Sequence, residues 1–247
     1  MKNNELIEFL EWDSNFFNMK IGKITKTDFN SSEFKEEQKE KQFDLIYAFC
    51  DINTPILGFW ETMNFYLVDT AITLSMNFDK DKYKMFDYEL KNKLSKKDIE
   101  SCYEIAESTA TVSRFYKEPI IGQEMTKKLY REWIDKALDK SFADGIFVEK
   151  IENKIVGIHI IKRKNNTGFF SLTGVKSNLK GKHIGTKLWN QSFGYWANFS
   201  EKINLIKSPF SLRNIPSFYF HQAMGFKKIE SIQYVYHYSK IKNKNEI

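Results

Sequence analysis

The residues best equipped for chemistry lie between Val175 and Phe226. The first group is Val175-Lys-Ser-Asn-Leu-Lys-Gly-Lys-His-Ile-Gly-Thr-Lys-Leu-Trp189. A strand-like run, Phe169–Val175, ends there, a basic loop follows, and a helical pattern begins near Ile184. The first backbone N–H groups of a helix lack intrahelical acceptors, and the aligned peptide dipoles make that end positive, so this junction suits a pyrophosphate. Gly181 and Gly185 permit close approach to the main chain, and Lys180 and Lys182 add charge. Val175, His183, Ile184 and Thr186 complete the candidate cradle. The same spacing also fits a plain basic turn.

The second group, Asn214-Ile-Pro-Ser-Phe-Tyr-Phe-His-Gln-Ala-Met-Gly-Phe226, reads as a short helix running into a strand. Asn214, Ser217 and His221 fall at relative positions 0, 3 and 7, one stripe of that helix. Asn214 and Ser217 are candidate ligand contacts. His221, with an ordinary pKa of about 6.5, is a candidate acid if it stays partly protonated; its alternative is a packing residue.

In this order the two motifs resemble the GCN5-related N-acetyltransferase (GNAT) superfamily. There the loop reads Arg/Gln-x-x-Gly-x-Gly/Ala and the helix Asn-x-x-Ala-x-x-x-Tyr-x-x-x-Gly-Phe. Lys180, His183 and Gly185 occupy the loop positions, and Asn214, Ser217, His221, Gly225 and Phe226 the helix positions. His183 replaces the middle Gly and His221 the Tyr. The resemblance implies an α/β fold with a central mixed, mostly antiparallel sheet flanked by helices, here with an N-terminal α/β extension. It also implies acetyl-CoA as co-substrate, no metal, and direct transfer to an amine in a ternary complex. Backbone N–H groups near Val175 would hold the oxyanion, and His221 would protonate the leaving thiolate.

Leu10-Glu-Trp-Asp-Ser-Asn-Phe-Phe17, Asn64-Phe-Tyr-Leu-Val-Asp-Thr70, Ser113-Arg-Phe115 and Leu129-Tyr-Arg-Glu-Trp133 resemble one branch of that superfamily, the dTDP-fucosamine acetyltransferase type acting on dTDP-linked amino sugars. The branch resemblance makes Arg114 a candidate substrate contact. Trp12 and Asp13 either touch the sugar nucleotide or turn the first strand. The general base is not identified by the sequence: Glu149 is one candidate, and a water chain could do the same work. His159 reads as a satisfied sheet histidine, His237 as an edge cap of the last strand, and Tyr130 and Trp133 as core. The alternatives are another small amine or a protein N-terminus as acceptor, or an acyl-CoA-binding protein without turnover, a reading that the missing loop Gly at His183 keeps open.

The elements that must position these residues follow from periodicity. Phe43–Ile52 reads as a strand, Thr54–Met63 as a helix, Phe65–Met76 as a strand and Asp79–Lys97 as an exposed helix or connector. Glu124–Lys140 is an amphipathic helix. Ile146–Glu149 and Ile155–Lys162 form a hairpin, and Phe169–Val175 the next strand. Then come helix Ile184–Asn198, strand Ile203–Lys207, helix Ile215–Met224 and strand Ile229–Tyr238. Thr54–Met76 lies without gaps on Ile215–His237, matching Pro55, Phe59, Met63 and Phe65 to Pro216, Phe220, Met224 and Phe226. This echo suggests an N-terminal unit, 1–98, resembling half of a C-terminal acetyltransferase domain, 99–247.

Composition limits the partners. The 247 residues carry a net charge of +6, but Arg114, Arg131, Arg163 and Arg213 are the only arginines. Dispersed lysine attracts a polyanionic coenzyme or sugar nucleotide more readily than it reads nucleic acid. Cys50 and Cys102 have no disulfide or metal spacing. No run approaches 18 apolar residues and the start lacks a signal-like apolar stretch, which points away from membranes and to the cytoplasm. The aromatic N-terminal region leaves a homodimer open.

Overall fold

The computed structural model describes residues 5–26, 28–53, 59–199 and 202–240. Along the chain run β1 (Ile7–Phe9), α1 (Glu11–Phe17), β2 (Ile21–Ile24), α2 (Ser31–Lys41), β3 (Leu45–Asp51), β4 (Phe65–Asn77), α3 (Lys80–Tyr83), α4 (Lys96–Thr109) and α5 (Gly122–Leu138). There follow β5 (Gly145–Ile151), β6 (Lys154–Lys164), β7 (Thr167–Val175), α6 (Ile184–Ala197), β8 (Leu205–Ser211), α7 (Ile215–Ala223) and β9 (Lys228–Ser239). The strands form one sheet in the order β1-β2-β3-β9-β4-β8-β7-β6-β5. β2–β3 and β7–β8 are parallel and the other neighbours antiparallel, the mixed α/β architecture expected.

Local chemistry sets the elements. On α5, Leu129, Tyr130, Ile134 and Ala137 are buried, the stripe that the 3.6-residue period places on one face. The β5–β6 hairpin turns through Glu152 and Asn153, both left-handed at φ 49 and 61, the two-residue geometry that matches strand twist. Ser95 caps α4 by accepting from the Asp98 N–H (3.2 Å). Of the helix expected over 54–63, residues 54–58 lie outside the described residues, and Glu61–Met63 form a single 3-10 turn. The charged 79–97 stretch is mostly connector, with helix only at its two ends.

The sheet order repeats about the β4–β9 pair. β1-β2-β3-β9 on one side matches β6-β7-β8-β4 on the other, with the same antiparallel, parallel, antiparallel sequence of pairings. The two last strands are exchanged, so strands from both sides of residue 98 share one sheet. The echo has the same centre: Ala71 pairs with Gln233 and Ile72 with Ile232, and a shift of 161 residues maps each pair on the other. A bulge interrupts each strand near its start, between Leu67 and Asp69 in β4 and opposite Thr73–Leu74 in β9.

Helices cover both faces. α6 and α7 close one face with Trp189, Phe193, Trp196 and Phe226. α4 and α5 cover the other over β5–β7, and α1 and the 113–121 loop pack beside them over β2 and β3. Gly157 of β6 admits the start of α6, since a Cβ there would lie 2.6 Å from Ile184 Cγ2 and 3.0 Å from Leu188 Cδ1. Gly157→Ala is expected to lower unfolding free energy by about 1–3 kcal/mol in a urea titration, because both contacts are buried, branched side chains with little room to move.

Candidate functional site

A break in the sheet is the centre of the site. β7 and β8 pair only over Thr167↔Leu205, Gly168↔Ile206 and Phe169↔Lys207, then both continue, to Val175 and Ser211, without pairing. The sequence supplies the cause. Leu212 N–H donates to Thr70 O on β4 (2.8 Å), so by strand alternation Pro209 and Ser211 turn their backbone nitrogens toward β7. Pro209 has no N–H to donate, so the ladder cannot extend past Lys207. Lys176 N–H donates to Val156 O (2.9 Å) on β6, which by the same alternation turns the Val175 N–H into the gap, where a donor to an oxyanion was expected.

The gap leads to the basic loop. Ser177–Leu179 form a 3-10 turn, and α6 starts after His183 with no side-chain cap. The N–H groups of Ile184, Gly185 and Thr186 therefore lack intrahelical acceptors, at the positive end of a 14-residue helix. Gly181 has φ 79 and His183 φ 58, both left-handed. His183 thus keeps a backbone conformation that glycine adopts freely, and its side chain is exposed with those of Lys180 and Lys182, so it does not fill the cradle.

Two expectations about this loop need correcting. Gly185 lacks a side chain for packing: a Cβ there would lie 3.2 Å from Phe220 Cζ, so it is the close approach between α6 and α7, and only its N–H is left for a ligand. The Ile184 side chain is buried in the core, leaving only its N–H for binding.

His221 is also corrected. It is buried at 3 % exposure, stacked on Phe210 (4.3 Å, 20°) and edge-on to Trp189 (4.8 Å). Nδ1 donates to Ser217 O (2.7 Å), which fixes the tautomer, so Nε2 accepts from Ser208 Oγ (2.7 Å). Burial lowers its pKa to about 4. A proton donor at neutral pH it is not; it is the packing residue of the alternative reading. Asn214 is the N-cap of α7, accepting from Ser217 N–H (3.3 Å), and Ser217 Oγ lies 3.3 Å from His221 Nδ1. Both side chains hold α7.

The residues expected to contact the acceptor lie on the opposite face. Arg114 lays its guanidinium over Phe115 (4.2 Å) and Tyr47 (4.8 Å), and its Nε is buried without a partner. Burial lowers its pKa against the opposing pull of Tyr47, Asp13 and Asp69. Asp13 lies on α1 with Tyr47 OH at 3.5 Å, and burial raises its pKa. Trp12, next to it, is 41 % exposed and stacks on Phe16. Arg114 and Asp13 thus come together on one side of the sheet, while the adjoining Trp12 ring lies under Lys136.

Other residues settle plainly. His159 is fully buried and held neutral by burial, with a pKa of about 3; its Nδ1 lies 2.9 Å from Thr173 Oγ1 and 3.3 Å from Leu172 O. Glu149 is two strands from the gap, on β5, and pairs with Lys187 (3.1 Å), so it is not placed as a base. His237 is no edge cap: it sits mid-sheet, fully buried, with Nδ1 2.7 Å from Glu118 Oε2. Tyr66 OH donates to the same carboxylate (2.8 Å). Sequence reasoning missed this Glu118–His237–Tyr66 cluster and also Asp69 and Arg213. Only the quoted Asn64–Thr70 segment, which contains Tyr66 and Asp69, had signalled part of it.

No family model matches the chain. It is 25% identical over 145 residues to the spore coat polysaccharide biosynthesis protein SpsD of Bacillus subtilis (strain 168), covering 57% of this chain and 47% of that protein. The match therefore spans about half the length of that relative. Among solved structures, a GCN5-related N-acetyltransferase from Sphaerobacter thermophilus superposes with a TM-score of 0.58 at 13% identity, over 94% of this chain and 76% of that one. A tandem GNAT protein from the clavulanic acid biosynthesis pathway does so with 0.50 at 11% identity, over 89% and 75%. The fold is the GNAT fold.

The site carries two expected outcomes. His221 is lowered from 6.5 to about 4, so between those values the unfolded chain binds more protons and stability rises with pH. Its contribution, roughly 3 kcal/mol, is complete above pH 6.5 and lost as pH falls toward 4. Urea titrations of wild type and His221→Gln should differ in slope across that window. His183→Gly should leave coenzyme A affinity equal or improved in calorimetry, and His183→Val, β-branched at a left-handed position, should weaken it severalfold.

Proposed function

We propose that the chain is an acetyl-CoA-dependent N-acetyltransferase. The observation that carries this reading is the gap between β7 and β8, ending at an uncapped, lysine-flanked helix N-terminus. A pantetheine arm is an extended chain with amide groups, and it can occupy the strand position that Pro209 vacates. The pyrophosphate then lies on the Ile184, Gly185 and Thr186 N–H groups, with Lys180 and Lys182 adding charge. The thioester carbonyl receives the Val175 N–H, which gains strength as the carbonyl oxygen becomes an oxyanion.

An amine arriving from the Arg114 face attacks the carbonyl carbon, the tetrahedral intermediate collapses, and the C–S bond breaks. With His221 neutral, the thiolate leaves without a protein acid. A thiol pKa of about 8.5 makes it a competent leaving group that solvent protonates.

The acceptor we propose is the amine of a nucleotide-linked, dTDP-type amino sugar. Arg114 would face its phosphates, and Trp12 with Asp13 the nucleoside or sugar. The partial similarity to a polysaccharide biosynthesis protein supports this class. The exposed His183 side chain leaves the cradle open, which removes the reason for a binding protein without turnover.

Thiol release from acetyl-CoA, measured across dTDP- and UDP-linked amino sugars with polyamines and peptide N-termini as comparisons, tests the reading. Turnover is expected with amino-sugar nucleotides; turnover with peptides alone would move the acceptor class. Replacing Lys180 and Lys182 together by Glu should weaken acetyl-CoA binding about tenfold or more, with a smaller loss at high salt.

A further inference from the structure

We infer that Asp69 receives the acceptor amine and takes its proton, an assignment that rests on the acetyl-transfer reading. The bulge in β4 is the first reason. Tyr66 and Asp69 are three residues apart, so in a regular strand they would project from opposite faces. The register shift between Leu67 and Asp69 inserts one residue and brings both to the same face. There Tyr66 meets Glu118 of the 113–121 loop, and Asp69 lies close enough to Arg114 and His237 to pull on their titrations.

The carboxylate is held as a fixed acceptor. Its Oδ1 takes Ser211 Oγ–H at 2.6 Å, the Thr70 N–H at 2.8 Å and Arg213 Nε at 3.3 Å. Arg213 in turn donates through Nη2 to Val112 O (3.1 Å), joining the carboxylate to the segment that enters the Arg114 loop. All three contacts fall on Oδ1. Oδ2 makes no hydrogen bond or ion pair among the described residues and is not among the sealed, unpartnered atoms, so it remains reachable from solvent.

The position fits the chemistry. Ser211 is the last residue of β8 and lies on the unpaired edge facing the gap, so Asp69 is one hydroxyl away from the place where β7 and β8 stand apart. Asp13 and Asp69 both pull on Arg114, whose buried Nε lacks a partner. Carboxylates and guanidinium groups thus share this face, with Arg213 paired to Asp69, which suits a substrate with both an ammonium and phosphates. In the step itself, the bound ammonium first gives one proton to solvent, the amine lone pair so freed forms the C–N bond, and the thioester π pair moves to oxygen. The nitrogen's extra proton passes to Asp69 Oδ2, the intermediate collapses with loss of the thiolate, and the carboxyl proton returns to solvent.

Asp69→Asn tests this, because Asn keeps Oδ1 as acceptor and removes the charge. The expected result is at least a hundredfold loss in kcat/KM for the amino-sugar nucleotide, acetyl-CoA affinity within twofold of wild type by calorimetry, and a nearly unchanged Tm. Ser211→Ala, which removes only the 2.6 Å contact, should lose about tenfold. If wild type turns over and Asp69→Asn stays within threefold of it, this assignment is wrong and the transfer reading stands. A loss of coenzyme affinity or Tm in proportion to activity would reduce Asp69 to a structural residue and overturn it as well. If wild type releases no thiol with any amine, both readings fail.

Discussion

The missing amide hydrogen of Pro209 is the constraint on which the site depends. Parallel strands bonded only as far as Lys207 leave two unpaired edges within a nine-stranded sheet. Buried backbone groups are rarely left without partners, so a gap of this kind is stable only where water or a ligand can enter. β8 survives the loss because its other edge is fully paired to β4, from Ala71↔Ser211 to Asn77↔Leu205. The exchange of β4 and β9 therefore does more than join two halves: it supplies the continuous partner that lets β8 part from β7. The bulge that turns Asp69 toward the acceptor face belongs to the same strand.

Much of the fold was legible because hydrophobic period and turn residues agree. The hairpin, α5, β7, α6 and β9 lie within a few residues of their expected places, since each carries a strong pattern bounded by polar turns. β8 runs on to Ser211, past the expected end at Lys207; in the sheet the Pro209 nitrogen faces a vacated edge and costs no bond. α4 was not expected at all: its apolar residues Cys102, Ile105 and Ala106 are few and its surface is charged. Packing against α5 and β6, which a local pattern does not contain, makes it a helix.

The candidate site was legible only in its local half. The loop and helix N-terminus are contiguous in sequence, so residue type and spacing suffice to mark them. The acceptor face draws on α1, β4, the 113–121 loop and β9, elements that only the sheet order brings together. His221 shows the hazard in the other direction. Its place on a stripe with Asn214 and Ser217 was read correctly, but a stripe does not say which way it faces. Here it faces Trp189 and Phe210, and burial removes the charge that the acid role required.

The internal repeat gives a control for the proposed coenzyme site within the same chain. β2 and β3 are parallel and pair over three residues, as β7 and β8 do, and α2 crosses between them as α6 does. At the head of α2, however, Asn30 accepts from both the Ser32 and Glu33 N–H groups at 3.0 Å, and Glu33 adds a negative charge to the first turn. Phe29 and Phe34 fill the space beside it with Trp60 and Phe65. An anion there would meet capped amides and a carboxylate. At the head of α6 the corresponding amides have no cap, the first turn has no acid, and the approach is lined by lysine. Of two junctions alike in topology, one has its donors satisfied and its space packed with aromatic rings, and the other keeps its donors unfilled. That difference, rather than the fold they share, leaves the α6 end and not the α2 end with donors free for an anion.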